Sequence, residues 1–138
     1  MRVRITVAAA GLAAIVPCLA APAAQDEPRC SRETFLEFRA AVDHARKLDE
    51  VLPLLARTTR KLQDADSSQD RAINLALLKQ VSEQKDPEVT SVEALFGACR
   101  VELTATAPDG RPQRGLYKFM NERGSWRLQA WGWSDQDE

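Results

Sequence analysis

The residues that most readily suggest a site are the three tryptophans, Trp126, Trp131 and Trp133, which lie close together near the end of the sequence. Side chains along a strand alternate between its two faces, so Trp126 shares a face with Leu128, while Trp131 and Trp133 point to the other face. Large apolar side chains grouped on a solvent-facing surface are typical of a contact surface. We therefore predict that Trp131 and Trp133 bind a partner or a second copy of the chain. The alternative is a bulge at Gly132, or cover by the N-terminal segment, which would bury one or both indoles.

The preceding strand adds two residues to this predicted surface. A four-residue hairpin loop at 121–124 places Phe119 opposite Trp126 and makes the inner face of the hairpin uniformly apolar. In that register Leu116 and Met120 lie on the outer face, together with the last two tryptophans. We therefore predict a binding surface on the outer face of the sheet.

The inner face of the same hairpin carries Tyr117, Phe119 and Trp126. Aromatic side chains bury large areas, so the simplest prediction is that these three residues form core. The alternative is a small-molecule pocket in which the Tyr117 hydroxyl is the polar group. Both interpretations remain open on the sequence.

No residue pattern for catalysis, metal binding or nucleotide binding is present in the sequence. The single histidine, His44, follows Asp43 directly, and adjacent residues on a helix diverge, so the two do not form a catalytic pair. There is no nucleophile-elbow serine and no glycine-rich phosphate loop. We predict no catalytic residue, no metal and no cofactor, and we interpret two charge clusters as solvated helix surface. These clusters are Asp43, Asp49 and Glu50, and Arg57, Arg60 and Lys61.

Residues 1–24 have the three-part layout of a secretory signal peptide. Two arginines precede an apolar run that begins at Ile5, and small residues follow it, so cleavage is expected after Ala23 or Ala24. The run is shorter than the about 20 residues that cross a bilayer, and we expect no membrane span in the mature chain. We predict one domain, 25–138, exported to the periplasm or the extracellular space. A net charge of −1 gives no electrostatic footprint for nucleic acid, which leaves a homodimer or an envelope protein as the expected partner.

Two cysteines, Cys30 and Cys99, follow the predicted signal, and Cys18 lies within it. Two cysteines in an oxidising compartment permit one connectivity. We predict a disulfide between them, which closes a loop of about 70 residues and contributes roughly 4 kcal/mol on the chain-entropy model. Two free buried thiols are the alternative.

The first half of the domain has the apolar spacing of helices. Ser31 is a candidate N-cap for a first helix that reaches Leu48. A second helix is predicted over 49–62 and a third over about 69–83. The predicted buried stripes are Phe35, Phe38, Val42, Ala45 and Leu48 in the first helix, Leu52, Leu55, Thr59 and Leu62 in the second, and Ile73, Ala76, Leu77 and Val81 in the third.

From Val89 onward the apolar period changes to two, which is typical of half-buried strands. Alternation from Cys99 to Ala105 predicts one inward-facing strand, and 107–110 predicts a turn with proline and glycine. Two further strands flank the loop at 121–124. We predict an α+β fold in which two to three N-terminal helices pack on a C-terminal antiparallel meander of three to four strands.

A resemblance to a known group is carried by the final hairpin, residues 115–128, which reads GLYKFMNERGSWRL. Its form, G-x-φ-x-φ-x-x-E-x-G-x-W-x-φ with φ apolar, resembles the secreted bacterial members of the cystatin-like α+β superfamily. That superfamily includes nuclear-transport-factor-like, ketosteroid-isomerase-like and SnoaL-like domains, and families of unknown function. The resemblance implies a curved sheet that wraps helices into a cone, whose interior holds a ligand in some members and core in others.

The enzymatic members of that superfamily place acidic and tyrosine side chains inside the cone. In this chain Tyr117 is the only inward polar candidate, and Glu93, Glu102 and Glu122 fall at strand or turn positions that are not assigned to the interior, so no catalytic role is transferred. We therefore predict an exported, non-catalytic binding domain. The alternative is a small-molecule-binding or ketosteroid-isomerase-like enzymatic cone lined by Tyr117 and Phe119.

Overall fold

The computed structural model describes residues 29–136, and the predicted signal peptide at 1–24 lies outside the described residues. The helices are α1 (Arg32–His44), α2 (Leu48–Val51), α3 (Arg57–Gln63), α4 (Ser68–Leu78) and α5 (Gln80–Glu83), with a 3-10 turn at Leu52–Leu54. The strands are β1 (Lys85–Leu95), β2 (Ala98–Thr106), β3 (Pro112–Glu122) and β4 (Ser125–Asp135). The helices pack on an antiparallel sheet of four strands, so the predicted α+β fold is confirmed.

Helix α1 begins where its sequence predicts it, but it ends at His44, and Leu48, the predicted end, begins α2. Ser31 precedes the helix in an extended conformation, and its backbone N–H donates to Thr34 Oγ1 at 3.2 Å. This bond is half of a capping box and satisfies a donor that the helix leaves free. Phe35, Phe38 and Val42 are buried in the core, which confirms the predicted stripe of this helix.

The second predicted helix is wrong, because the chain between α2 and α3 is extended at Leu55 and Ala56. Leu55 forms a parallel bridge with Leu128 of β4, and the Ala56 N–H donates to the Leu128 carbonyl at 2.8 Å. These contacts cover part of an edge strand, whose backbone groups would otherwise lack partners. In α3 Thr59 is buried but Leu62 is 80% exposed, so the predicted stripe ends at Thr59.

The third predicted helix is divided at Lys79 into α4 and α5. Val81 is buried as predicted, and Leu78, three residues before it, is buried as well. Ile73 and Leu77 are exposed, contrary to the prediction. The break changes the phase of the helix, so a single stripe drawn through both segments assigns the wrong side of α4 to the core.

The sheet has the strand order β1-β2-β3-β4, with every neighbouring pair antiparallel. The inner face of β2, from Cys99 to Ala105, is buried as the alternation predicts. The predicted turn after β2 is also present, since the Gly110 N–H donates to the Ala107 carbonyl at 2.9 Å with φ of +90° at the glycine. The sheet therefore has one face against the helices and one face in solvent.

The core lies between α1, the segment from α2 to Leu55, and the inner face of the sheet. Its largest fully buried side chains are Tyr117, Phe35, Phe119, Leu55, Leu78, Leu103 and Leu128. A disulfide joins Cys30 to Cys99, with 5.2 Å between the two Cα atoms, and confirms the predicted pairing. It ties the segment before α1 to the centre of the sheet.

Candidate functional site

The turn between β3 and β4 is shorter than predicted, and this changes the strand register. Arg123 and Gly124 alone form the turn, with φ of 53° and 82°. Two successive left-handed residues are typical of a type I′ turn, whose twist matches that of the flanking strands. Phe119 consequently pairs with Leu128 and not with Trp126, so the predicted register is wrong.

A β-bulge at Gln129 reverses the predicted orientation of the last two tryptophans. Leu128 and Ala130 pair with consecutive residues of β3, so Gln129 is an extra residue in β4. Side chains that follow such a residue change face. Trp131 and Trp133 therefore lie on the inner face, and the prediction that they face outward is wrong. The alternative of a bulge is confirmed, although it lies at Gln129 and not at the predicted glycine.

The place of the bulge follows from hydrogen bonds to the helical layer. Thr59 Oγ1 donates to the Gln129 carbonyl at 2.7 Å, and the Ala56 N–H donates to the carbonyl of Leu128. Thr59 is buried, so its hydroxyl depends on this acceptor. Two adjacent carbonyls of β4 thus bind the same helical segment.

Trp133 packs over Gly115, where an added Cβ atom would lie 2.7 Å from the indole ring. The Trp133 Nε1–H donates to the Tyr117 hydroxyl at 3.0 Å, and the two rings meet edge to face with centroids 5.9 Å apart. Burial raises the pKa of Tyr117 well above its ordinary value, although the hydrogen bond from Trp133 acts in the opposite direction. The phenol therefore remains protonated at neutral pH, and its oxygen accepts the indole N–H.

Tyr117 and Phe119 belong to an aromatic cluster with residues of α1. The ring centroids of Phe35 and Tyr117 are 5.1 Å apart, and those of Phe38 and Phe119 are 5.6 Å apart. Trp126 is partly buried against the same core. The interior beside these rings is thus filled by side chains. None of the three predicted pocket residues lines the recess on the outer face of the sheet or the recess between α5 and the turn after β2.

The outer face of the sheet carries a recess of about 740 Å³, which residues of all four strands line. We call it the outer recess. Leu116 lies in it and is 39% exposed. Trp131 and Trp133 also line the outer recess, although the register assigns their side chains to the inner face. Three of the four predicted binding residues are therefore brought together, and Met120 lies outside the lining.

The charges of the outer face are divided between two halves of the sheet. The outward charged residues of β1 and β2 are Lys85, Glu88, Glu93, Arg100 and Glu102, and those of β3 beside the outer recess are Arg114 and Lys118. Arg100 Nη2 lies 2.8 Å from Glu102 Oε1. Arg114 and Lys118 form no ion pair within residues 29–136. The β1 and β2 half therefore carries three glutamates against two cations and is weakly acidic, whereas the β3 half beside the outer recess is basic.

Glu122 and Arg127, two further charged residues near the β3–β4 turn, are hydrogen-bonded to the helical layer. The Arg57 N–H donates to Glu122 Oε1 at 2.7 Å, and the Arg127 guanidinium donates to the Pro53 carbonyl. Both contacts lie at the edge of the sheet, so these two charges add little to the division described above.

Sequence reasoning missed the charged residues of the outer face as a set. The signal was present in the alternation of β2 and β3, which assigns Arg100 and Glu102, and then Arg114 and Lys118, to outward positions. The prediction assigned Trp131 and Trp133 to the outer face, whereas the register places charged residues and Leu116 there.

The other candidate residues lie at helix ends or on the surface. His44 is exposed, with Nδ1 2.7 Å from the Ala40 carbonyl oxygen. The backbone N–H groups of Arg46 and Lys47 lower the pKa of Glu50. Residues 29–136 hold no group of three His, Cys, Asp or Glu side chains placed to bind a metal ion. In the same part of the chain, no helix is both long and apolar enough to cross a membrane.

Comparison with protein-family models and with curated proteins finds no match. Among solved structures, the chain is similar to a SEC-C motif containing protein from Rhodopseudomonas palustris, with 18% identity, a TM-score of 0.46 and 75% of each chain covered. It is also similar to a de novo designed NTF2 fold protein, with 15% identity, a TM-score of 0.45, and 72% of this chain and 81% of the other covered. The fold assignment rests on the order and register of this chain's own elements.

Proposed function

We propose that the protein is an exported, non-catalytic interaction domain that binds a second copy of itself through the outer face of its sheet. The observation that carries the proposal is the division of the outward charges into an acidic half on β1 and β2 and a basic half on β3. The disulfide between Cys30 and Cys99 supports export, because disulfides persist in oxidising compartments. The signal-peptide pattern at 1–24 supports it as well.

A surface binds its own copy when it is complementary to itself under a two-fold rotation. A two-fold axis parallel to the strands, between β2 and β3, places β2 of one copy over β3 of the other and β1 over β4. Glu102 then lies over Leu116 of the second copy, between Arg114 and Lys118 of that copy. Arg100 faces Lys118 in this arrangement, but it is already bonded to Glu102 of its own chain.

The shape of the outer recess agrees with the same arrangement. Its lining on β4 consists of small residues, among them Ala130, Gly132 and Ser134. The glutamates of β1 in the second copy lie over these residues, where there is room for their side chains, and next to the basic residues of β3. A two-fold axis perpendicular to the strands would instead place each strand over the same strand of the second copy, so the basic half would face the basic half, which is unfavourable.

Sedimentation velocity on charge-reversal variants tests the proposal. We expect the wild type to form a dimer whose dissociation constant rises at least about tenfold in Arg114→Glu, because the new carboxylate lies beside Glu88 and Glu102 of the second copy and like charges across an interface are repelled. Glu102→Lys alone should weaken the dimer as well. The double variant Glu102→Lys/Arg114→Glu should recover part of the loss, because the two charges are exchanged across the axis. Lys61→Glu is the matched control, since Lys61 is exposed on α3, away from the sheet face.

A wild type that stays monomeric throughout the concentration series would refute self-association. An equal rise of the dissociation constant in Lys61→Glu would show that the overall charge of the protein, and not the outer face, controls dimer formation. A double variant weaker than both single variants would refute the orientation of the axis. Intact-mass analysis of the exported protein tests the remaining part of the proposal, with a mature chain that begins at Ala24 or Gln25 as the expected result.

The alternative of a small-molecule-binding or enzymatic cone lined by Tyr117 and Phe119 is not retained as a second proposal. Both rings contact aromatic side chains of α1, and no specific feature of the interior favours a ligand there.

A further inference from the structure

The turn between β1 and β2 carries a fully exposed phenylalanine, Phe96. Gly97 follows it with φ of 65°, and the Gly97 carbonyl accepts the Asn121 N–H of β3 at 2.8 Å. This hydrogen bond ties the turn to a neighbouring strand, so the backbone that carries Phe96 is held in place. The apolar ring stays in water in the single copy and therefore adds nothing to its core.

Phe96 lies beside a group of apolar residues at one end of the outer face. Leu95 pairs with Ala98, and Ala98 pairs with Met120. Each of these three lies two positions from an outward charged residue of its own strand, so all three belong to the outer face. We call Leu95, Phe96, Ala98 and Met120 the apolar row. Single exposed apolar residues are ordinary, whereas a contiguous group of them is typical of a contact surface.

The axis of the proposed dimer places the apolar row of one copy over that of the other. A two-fold axis parallel to the strands keeps each residue at the same height along the strands and exchanges β2 with β3. Ala98 then lies over Met120 of the second copy, and Met120 lies over Ala98. Leu95 and Phe96 lie over the beginning of β4, where the methylene groups of the outward residue Arg127 offer apolar contact.

The charges of the outer face leave most of the binding strength to other side chains. Charges across an interface determine orientation and the rate of encounter more than affinity, and exposed ion pairs contribute little. Tight interfaces depend on a few aromatic or apolar residues that are buried on association. Among the exposed large apolar side chains of residues 29–136, Leu95, Phe96 and Leu116 belong to this face or to its turn.

We propose that the apolar row is the anchor of self-association, with a second copy of the chain as its partner and Phe96 as the residue that contributes most. The inference rests on the proposed function, because it uses the same two-fold axis. Each contact of the apolar row occurs twice, since the axis relates the two copies. The charges around Arg114 determine how the copies are oriented, and the apolar row determines how tightly they bind.

Sedimentation velocity on truncation variants tests the anchor. Phe96→Ala should raise the dissociation constant of the dimer about tenfold or more, as expected for an aromatic residue buried at an interface. Leu95→Ala should raise it about two- to fivefold, because less apolar surface is lost. Leu62→Ala is the matched control. Leu62 is 80% exposed on α3, away from the sheet face, so the same chemical change there should leave the dissociation constant unchanged.

Salt separates the anchor from the charges. At about 1 M salt the screening length falls to about 3 Å, so the effect of Arg114→Glu on the dissociation constant should shrink. The effect of Phe96→Ala should persist, because apolar contacts are not screened. At a protein concentration below the dissociation constant, Phe96→Ala should melt at the same temperature as the wild type, because the ring is exposed in the single copy.

Met120 provides a reporter within the apolar row. The sequence has two methionines, and the other, Met1, lies in the predicted signal peptide. The processed, exported protein, labelled with carbon-13 at its methionine methyl groups, therefore gives one methyl signal. We expect this signal to shift with protein concentration along the same curve that sedimentation gives for dimer formation.

The results that overturn the anchor differ from those that overturn self-association. A wild type that stays monomeric refutes the proposed function, and the anchor with it. A wild-type dimer that is weakened by Arg114→Glu but not by Phe96→Ala refutes the anchor alone. Equal effects of Leu95→Ala and Leu62→Ala, or a Met120 signal that does not move as the dimer forms, refute it as well. If Phe96→Ala keeps the dimer but loses binding to phosphatidylglycerol vesicles, the ring contacts a membrane surface and the anchor is wrong.

Discussion

Gly115→Ala should lower the stability of the protein, because the Trp133 ring occupies the space that the new Cβ atom needs. The new Cβ atom would lie 2.7, 2.8 and 3.0 Å from three carbons of the indole, against 3.4 Å for the start of ordinary contact. The indole cannot turn away freely, because its N–H is bonded to the buried Tyr117 hydroxyl. Overpacking of this kind costs about 1–3 kcal/mol, and displacement of the ring would add the loss of one hydrogen bond, about 1 kcal/mol.

The lower backbone entropy of alanine in the unfolded chain offsets part of this loss of stability. Glycine within a strand is less favourable than alanine by roughly 0.5–1 kcal/mol, because it loses more backbone freedom on folding. We expect a net loss of about 1–3 kcal/mol in the free energy of unfolding, which lowers the melting temperature by about 4–8 °C for each kcal/mol in a domain of this size. Urea denaturation followed by far-UV circular dichroism measures it, with each variant at the same protein concentration.

Gly132→Ala is the matched control on the facing strand. Nothing lies within 4 Å of the Cβ position at Gly132, so the same chemical change should be neutral or slightly stabilising there. Trp133→Phe should reduce the cost of Gly115→Ala in a double-mutant cycle, because the contacting six-membered ring of the indole is removed. If the two alanine variants unfold within about 0.3–0.5 kcal/mol of each other, the close contact between Gly115 and Trp133 is not a determinant of stability.

Two further predictions concern the disulfide and one surface carboxylate. Replacement of both Cys30 and Cys99 by alanine should lower the free energy of unfolding by up to about 4 kcal/mol in urea denaturation, since the bridge closes a long loop; a loss below about 1 kcal/mol would contradict this account. Hydrogen bonds from Arg111, its backbone N–H first and its guanidinium second, lower the pKa of Asp109. A pKa lowered by folding stabilises the native state above the unfolded pKa, and this contribution is lost as the pH falls through the folded pKa. Arg111→Ala should raise the pKa of Asp109 only part of the way to its ordinary value in a carboxyl NMR titration, because the backbone donor remains, and a complete return would show that the guanidinium is the main cause.

The elements that the sequence predicts correctly are those defined by local patterns. The stripe of α1 and the alternation of β2 each depend on the spacing of neighbouring residues, and both are present. The turn that ends in Gly110 follows from proline and glycine chemistry. The pairing of Cys30 with Cys99 follows from a count of cysteines once export is assumed.

The elements that the sequence does not predict depend on contacts between distant residues. Leu55 and Ala56 have the spacing of a helix, but their hydrogen bonding to β4 makes them extended. Arg123 adopts a left-handed conformation that is uncommon for a residue with a side chain, so the two-residue turn gives no clear signal in sequence. Gln129 becomes a bulge whose own carbonyl accepts from Thr59 Oγ1, and the carbonyl before it accepts from the Ala56 N–H. At Ala56 and at Gln129 the local pattern is compatible with two conformations, and a tertiary hydrogen bond selects one.

The bulge at Gln129 determines the chemistry of both faces at the end of β4. Without the extra residue, the two indoles would lie on the outer face beside Leu116, and that face would be a broad aromatic surface. With it, the outward residues of β4 are small and the inward residues are tryptophans, one of which closes over Gly115. The outer face then carries charged side chains on β1, β2 and β3 and small residues at the end of β4. A single inserted residue therefore moves the aromatic side chains of β4 from the proposed protein interface to the inner face of the sheet.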